Sequence, residues 1–415
     1  MRPEPHELPE LVRELHRQGS PWLAAGLGSR LDWGPPVRQP CAVLSCARLD
    51  RIVEHTPGDF TIRVEAGAPL AAVQAALAPH RQWLAVDPAW GEAEGSLGGL
   101  VARGLAGGYR QRYLGVRDQL IGVRLLRADG VAAQAGGRVV KNVAGYDLMR
   151  LLTGSWGSLG LITELTLRTL PLPPHRRGLL VQGPAEALAP LVRWLLGSSL
   201  TPERVDLWSA PLAAAASLAA EPLLLIVLAS VAAESVEEQA AAIAARSTLP
   251  IRALAAAELA PLLAVARGGA SGAAVSGRPG PKAAAAGDWL LRLGVRPAAC
   301  LALLEAPELA GLPLDLAAGS GLGTAWAPAT PPAPETALAP ERAEALRRRC
   351  RELGGWLTVL RQPEGADLPA WCDAPSRPLI EAIKRRFDPL GQLAPGRLPG
   401  VAAPLAGAPQ PGSTR

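Results

Sequence analysis

The sequence predicts an α+β chain of two domains, and three observations predict it. Glycines gather at the ends of short apolar strands within the first 170 residues or so, longer strands alternate with amphipathic helices after residue 178, and Pro171-Leu172-Pro173-Pro174 breaks the chain between the two regimes. The expected units are residues 1–173, residues 178–380, a segment 381–398 that returns to the first unit, and a disordered tail, 399–415. With 415 residues, 49% hydrophobic and 19% charged, the chain can bury two sizeable cores and is not of disordered composition. There is no fixed repeat and no sustained heptad.

Leu8 to Gly19 reads as a helix through Leu8, Leu11, Val12 and Leu15, followed by a short strand at Trp22–Ala25. Thr61–Ala66 alternates as a strand, and Pro69–Leu77 follows as a helix whose proline sits where a missing N–H does no harm. Ile121–Arg127 and Val131–Gln134 read as strands joined at an Asp129-Gly130 turn, and Leu161–Leu170 as another. Beyond the prolines come strands at Leu179–Gln182, Arg204–Trp208 and Leu223–Val231, with helices at Ala185–Leu196 and Ser235–Arg246. A second run looks similar: strands Trp289–Val295, Gly323–Trp326 and Trp356–Leu360, with helices Pro297–Leu304 and Ala343–Leu353. Two such halves imply a paired ferredoxin-like sheet with helices on one face. Gly268–Gly287 and Pro328–Pro340 read as Gly/Ala/Pro-rich loops.

A net charge of +5 and a pI near 9.2 invite a nucleic-acid reading. The basic clusters Arg347-Arg348-Arg349-Arg351 and Lys384-Arg385-Arg386 lie in helical patterns with apolar partners and without interleaved aromatics, so they read as solvated helix faces. No nucleic-acid partner is expected. Five scattered cysteines (41, 46, 300, 350, 372) contain no C-x-x-C, which argues against a disulfide framework, a zinc ribbon or an iron–sulfur cluster on this chain. The charged N-terminus does not read as a signal peptide. Pro222–Ala233, the most apolar stretch, is too short to span a bilayer, so a soluble cytoplasmic protein is expected.

Glycines cluster at Gly26–Gly28, Gly91–Gly108 and Gly154–Gly160. Without a Cβ, backbone N–H groups can converge on an anion, and a pyrophosphate is the natural occupant; tight turns alone are the plainer alternative. Other nucleotide folds fail at named positions. Gly26-Leu27-Gly28-Ser29-Arg30-Leu31 lacks the last glycine of a dinucleotide fingerprint, and Gly280-Pro281-Lys282-Ala283 lacks the hydroxyl of a P-loop. No G-x-S-x-G elbow occurs.

The strings Gly95-Ser96-Leu97-Gly98-Gly99-Leu100, Gly115-Val116-Arg117-Asp118 and Gly154-Ser155-Trp156-Gly157-Ser158-Leu159-Gly160-Leu161-Ile162-Thr163 resemble the FAD-binding domain of the p-cresol methylhydroxylase (PCMH, vanillyl-alcohol oxidase) type. More narrowly, Lys141-Asn142-Val143-Ala144-Gly145-Tyr146-Asp147, Phe387–Gly391 and Pro395-Gly396-Arg397 resemble the second FAD-binding subunit of bacterial glycolate oxidase (glycolate dehydrogenase). The resemblance implies a PCMH-type FAD-binding domain plus a ferredoxin-like α+β cap domain. It implies Gly26, Gly28 and Ser29 on the FAD phosphates. Gly95, Ser96, Gly98 and Gly99 would make the main pyrophosphate contact, Gly115 and Asp118 would close that wall, and Gly157, Gly160 and Ile162 would meet the flavin and adenine side. Relatives that attach FAD covalently use a His in the first loop. Here that stretch is Gly28-Ser29-Arg30, so non-covalent FAD is expected, with no metal. The Asn that usually precedes the C-terminal Pro-Gly is Ala394.

Oxidation of a 2-hydroxy acid needs a base for the hydroxyl proton and cations for the carboxylate. His6, His16, His55, His80 and His175 are the only histidines, and none falls in the expected cap; each reads as a surface or loop residue. Arg292 reads as a strand-edge arginine or a carboxylate ligand. Tyr146 either packs beneath the flavin domain or, with Lys141, borders the flavin or a partner subunit. Catalytic residues stay unassigned. The resemblance implies partnership with a catalytic FAD subunit and an iron–sulfur subunit, in glycolate oxidation to glyoxylate, by electron relay or complex assembly. Any membrane contact would be peripheral, through the complex. Two alternatives stand beside it: a self-sufficient FAD-dependent D-lactate or glycolate dehydrogenase, and a flavin-free structural subunit.

Overall fold

The computed structural model of the chain describes residues 1–88, 95–137, 146–268, 288–327 and 337–402. Gly91, the Lys141–Gly145 part of the Lys141–Asp147 string, Lys282 and most of its loop, most of Pro328–Pro340, and the tail from residue 403 lie outside the described residues.

Among the described residues, four sheets organise the chain. Strands β1 (Trp22–Ala25) and β2 (Ala42–Ser45) pair in parallel. A five-stranded antiparallel sheet has the order β3-β4-β8-β6-β7, from β3 (Ile52–Thr56), β4 (Thr61–Glu65), β6 (Leu120–Leu126), β7 (Ala132–Gly136) and β8 (Leu161–Arg168). Two short strands, β5 (Gln82–Trp83) and β9 (Leu170–Pro171), close a ribbon at its end. On one face of the five-stranded sheet, Ile62, Val64, Val123, Leu165 and Leu167 bury against the helices Leu70–Leu77 and Leu97–Arg103.

The remaining strands form one eight-stranded antiparallel sheet: β10 (His175–Gln182), β11 (Arg204–Trp208), β12 (Leu223–Ser230), β13 (Ile251–Ala255), β14 (Trp289–Gly294), β15 (Leu314–Ala317), β16 (Leu322–Ala327) and β17 (Trp356–Arg361). Its order, β13-β10-β12-β11-β15-β16-β14-β17, is two ferredoxin-like βαββαβ units joined edge to edge through β11 and β15. Strand β12 shows why the sheet is two-faced. Leu224, Ile226 and Leu228 enter the core under the helices Ala185–Gly197, Ala233–Arg246 and Pro340–Glu352, while Leu223, Leu225 and Val227 enter a second core with Trp33 and Trp156 of the first unit. A period of two sends alternate residues to opposite faces, so a strand buried on both sides is apolar throughout.

The chain then returns. The helix Arg377–Phe387 packs Ile383 and Phe387 on the first unit's core, so the expected 380/381 boundary falls inside a helix. Leu393 pairs with Trp22, and Ala394 N–H donates to the Trp22 carbonyl at 2.9 Å. Lys384 Nζ fastens this segment, donating to the Ser158 carbonyl (2.8 Å), Asp388 Oδ2 (2.6 Å) and the Leu393 carbonyl (2.6 Å).

Several expectations are corrected. The tail is ordered over its first four residues: Ala374 N–H donates to the Gly400 carbonyl, Trp371 Nε1 to that of Val401, and Ala402 N–H to Asp373. His175 heads β10 and so belongs to the eight-stranded sheet. Arg347, expected on a solvated face, is 2% exposed and donates to Glu344 and to the Pro369 carbonyl. Lys384 is likewise largely buried. Tyr146 does not pack beneath the flavin domain; it is 87% exposed.

Candidate cofactor site

The first loop follows β1, where the pairing with β2 ends and the chain turns at Gly26 and Gly28. Gly28 has φ +78°, a left-handed conformation that costs an L-residue about 1–2 kcal/mol. A Cβ on Gly26 would lie 1.9 Å from Ser96 Oγ, so the loop lies directly against the second glycine string. That string begins a helix the propensities conceal: Ser96 caps Leu97–Arg103, its hydroxyl accepting from Gly99 N–H at 3.2 Å, and Leu97, Leu100 and Val101 bury beneath it.

These elements wall a cleft whose empty volume, counting the open solvent at its mouth, is about 770 Å³. Gly26, Gly28, Ser29, Ser96, Gly98, Gly99, Gly157, Gly160 and Ile162 line it. Three residues expected with them do not. Gly95 sits behind the wall, against the Arg30 guanidinium, and its carbonyl accepts from Leu70 N–H. Gly115 and Asp118 form their own cap, with Gly115 N–H donating to Asp118 Oδ2 at 3.1 Å on a short helix, Val116–Gln119.

The second string also departs from the expected mode of anion binding. Leu97 and Gly98 N–H donate to the Ala68 and Ala66 carbonyls, and Gly99 N–H to Ser96. Its glycines therefore make room in the cleft, while its amides are spent inside the protein.

Positive charge comes instead from Arg30, Arg103 and Arg397, all on the cleft wall. The Arg30 and Arg103 guanidinium carbons stand 5.2 and 5.6 Å from the Trp33 ring centre. Burial and the Arg30 charge push Arg103 down to about 9 against the opposing pull of Asp32, which already pairs with Arg361 at 3.6 Å. Burial also lowers Arg397, which donates to the Pro35 and Leu31 carbonyls. Trp156 completes the wall with φ +55°, its indole against Gly34 and edge-on to Trp371 at 5.3 Å. The sequence scatters these tryptophans singly; the fold brings Trp33, Trp156 and Trp371 together. Only the arginine of Pro395-Gly396-Arg397 was legible beforehand. Nothing in the spacing of Arg30 and Arg103 announces that they meet.

No histidine appears among the lining residues. His16 Nδ1 lies 3.0 Å from Gln392 Oε1, and His55 Nε2 3.0 Å from Gln82 Oε1. Arg292 is neither on an edge strand nor at the cleft: β14 runs between β16 and β17, and the side chain, 4% exposed, donates to Thr324 Oγ1 and the Ala106 carbonyl. It belongs to a buried ionic cluster joining the two units. There Arg204 binds Asp206 (2.6 Å) and Asp87 (2.9 Å), Asp87 accepts from Gly107 and Tyr109 N–H, and Asp315 accepts from Trp208 Nε1 (3.0 Å). Burial and the Asp206 charge push Asp315 up to about 7, with Arg204 opposing.

A phosphate-bearing cofactor fits this cleft: cramped glycine turns leave space a Cβ would fill, and the guanidinium groups of Arg30, Arg103 and Arg397 line it. Comparisons with known proteins point the same way. Residues 4–136 match the family model described as an FAD binding domain. Among curated relatives, the glycolate oxidase subunit GlcE of Escherichia coli (strain K12) is 36% identical over 191 residues, 45% of this chain and 53% of the relative. The subunit GlcD of the same strain is 32% identical over 41% of this chain and 34% of its own length. A probable mitochondrial D-lactate dehydrogenase of Danio rerio is 31% identical over 40% and 34%. The matches thus span about half or a third of the relatives' lengths. A solved structure of alkyldihydroxyacetonephosphate synthase shares the fold, with TM-score 0.68 at 15% identity, over 96% of this chain and 77% of that one. Residues 4–136 of this chain thus match an FAD binding domain, and FAD is the cofactor that the match and the flavoprotein relatives support.

Proposed function

We propose that the chain is the FAD-binding subunit of a glycolate oxidase (glycolate dehydrogenase) complex, working beside a catalytic FAD subunit and an iron–sulfur subunit. The observation that carries this reading is the 36% identity to GlcE, joined to a cleft whose described lining contains no histidine. FAD, when bound, supplies the acceptor for the electrons of a hydroxy-acid oxidation. Gly26, Gly28, Ser29, Ser96, Gly98, Gly99, Gly157, Gly160 and Ile162 would hold it, and Trp33 and Trp156 would shield it from water. None of the five histidines is among the lining residues, and Arg292, the sequence's candidate for a carboxylate, is committed to Ala106 and Thr324. This arrangement supports electron relay or complex assembly more than substrate oxidation by this chain alone.

The test is the visible spectrum of the purified chain, followed by anaerobic glycolate with and without its catalytic and iron–sulfur partners. A flavin spectrum that bleaches only with the partners present supports the proposal. Bleaching by glycolate in the isolated chain would make it a self-sufficient hydroxy-acid dehydrogenase. A chain that stays colourless even with added FAD would be a structural subunit.

A further inference from the structure

We infer that Arg397 is a positioning residue for the cofactor: its guanidinium grips the first glycine loop by two backbone carbonyls and so holds Gly26, Gly28 and Ser29 in the form that takes FAD. The inference rests on the FAD-binding reading and is independent of which acid is oxidised.

Residues 26–41 join β1 to β2 without a helix or strand of their own. A loop with no ladder of its own must find partners for its backbone elsewhere. Its entry is fixed by β2, where Ser45 Oγ donates to the Gly26 carbonyl at 3.0 Å. Farther on, Gly34 N–H donates to the Leu360 carbonyl at 2.6 Å, and Asp32 and Arg38 pair with Arg361 and Asp367 of the second unit. Asp32, Arg38 and Asp367 are exposed, and ion pairs of that kind hold little. Arg397 is different. It is buried, its Nε donates to the Pro35 carbonyl at 2.9 Å, and its Nη2 donates to the Leu31 carbonyl at 2.6 Å. Leu31 lines the cleft, and Pro35 is itself buried, so its carbonyl needs a donor from the protein.

The grip is firm at its other end too. Ala394 N–H donates to the Trp22 carbonyl, Arg397 N–H to the Ala394 carbonyl, and Trp371 Nε1 to the Leu398 carbonyl at 3.0 Å. A planar guanidinium held this way spans two acceptors at a fixed spacing, which an ammonium, a single charge on a flexible stem, does not. Arg397 also stands on the cleft wall, so a direct charge contact with the cofactor is the competing role. The two roles differ in what a lysine can replace.

The experiment compares wild type, Arg397→Lys and Arg397→Met, each stripped of flavin. FAD affinity is titrated by fluorescence at low and moderate salt, and amide hydrogen exchange is followed in the empty proteins. Both variants should bind FAD about tenfold to a hundredfold more weakly, Arg397→Lys nearly as weakly as Arg397→Met, with the salt dependence of wild type. Exchange should quicken at residues 27–34 while the helix Ala185–Gly197 keeps its wild-type protection. Wild-type affinity in both variants would overturn the inference. So would affinity retained in Arg397→Lys alone with a flattened salt dependence in Arg397→Met, which would make Arg397 a direct charge contact. Faster exchange in Ala185–Gly197 as well would overturn it by making Arg397 a general structural residue. Failure of wild type itself to bind FAD would instead overturn the FAD reading on which the inference rests.

Discussion

Replacing Asp315 by Asn should alter how stability depends on pH. In the buried cluster between the two units, Asp315 lies 3.8 Å from Arg204 and near Asp206, and its value rises from an ordinary 3.8 to about 7. A carboxyl group raised on folding binds its proton more tightly in the native state. Its favourable contribution is complete below the unfolded value and is lost as pH rises through the folded one, so the window runs from about pH 4 to pH 7. A rise of about three units is worth at most ~4 kcal/mol, and the 16% exposure of the side chain together with Arg204 reduces the expectation to about 2 kcal/mol. Asn keeps the oxygen that accepts from Trp208 Nε1 but cannot ionise. Urea unfolding of both proteins with saturating FAD, at half-unit steps from pH 4 to pH 8, should show Asp315→Asn gaining about 2 kcal/mol on wild type across the series. A difference that stays constant over that range would refute the reasoning, because Asp315 would then be ionised in the native state throughout.

Two other substitutions probe the site and its closure. Gly26→Ala puts a methyl group within 1.9 Å of Ser96 Oγ, so the first loop must shift; FAD affinity measured by fluorescence titration should fall at least tenfold, with only about 1–3 kcal/mol lost in stability. Lys384→Met leaves Asp388, fully buried, without its cation and frees the Ser158 and Leu393 carbonyls. It should cost about 3–5 kcal/mol, and amide hydrogen exchange should show faster opening at Trp22 and Ala394, where the returning segment pairs.

The eight-stranded sheet was largely legible because its strands are long and its helices amphipathic, so a local pattern suffices. What escaped was short or contradicted by propensity. Leu314–Ala317 has four residues and gains its place by pairing with Arg204–Trp208, about a hundred residues earlier. The helix at Leu97–Arg103 contains Gly98 and Gly99, each costing about 1 kcal/mol, and forms because Ser96 caps it and three apolar side chains bury under it. The ionic cluster had a trace in the sequence. Arg204, Asp206 and Trp208 alternate within one strand and must share a face, which is a signal for a polar interface where an apolar one is expected.

For the cofactor cleft, the sequence by itself determined where the backbone could turn tightly, since that depends on the glycines and on residues within a few positions. It also excluded a histidine link in the first loop. Only the tertiary structure decided which turns share a cleft, that Gly115 and Asp118 stand apart, and that Arg30, Arg103 and Arg397 supply the charge beside Trp33 and Trp156. Turns are local and set by backbone sterics. A charge site instead sums contributions from segments nearly four hundred residues apart, which only packing of the whole chain brings together.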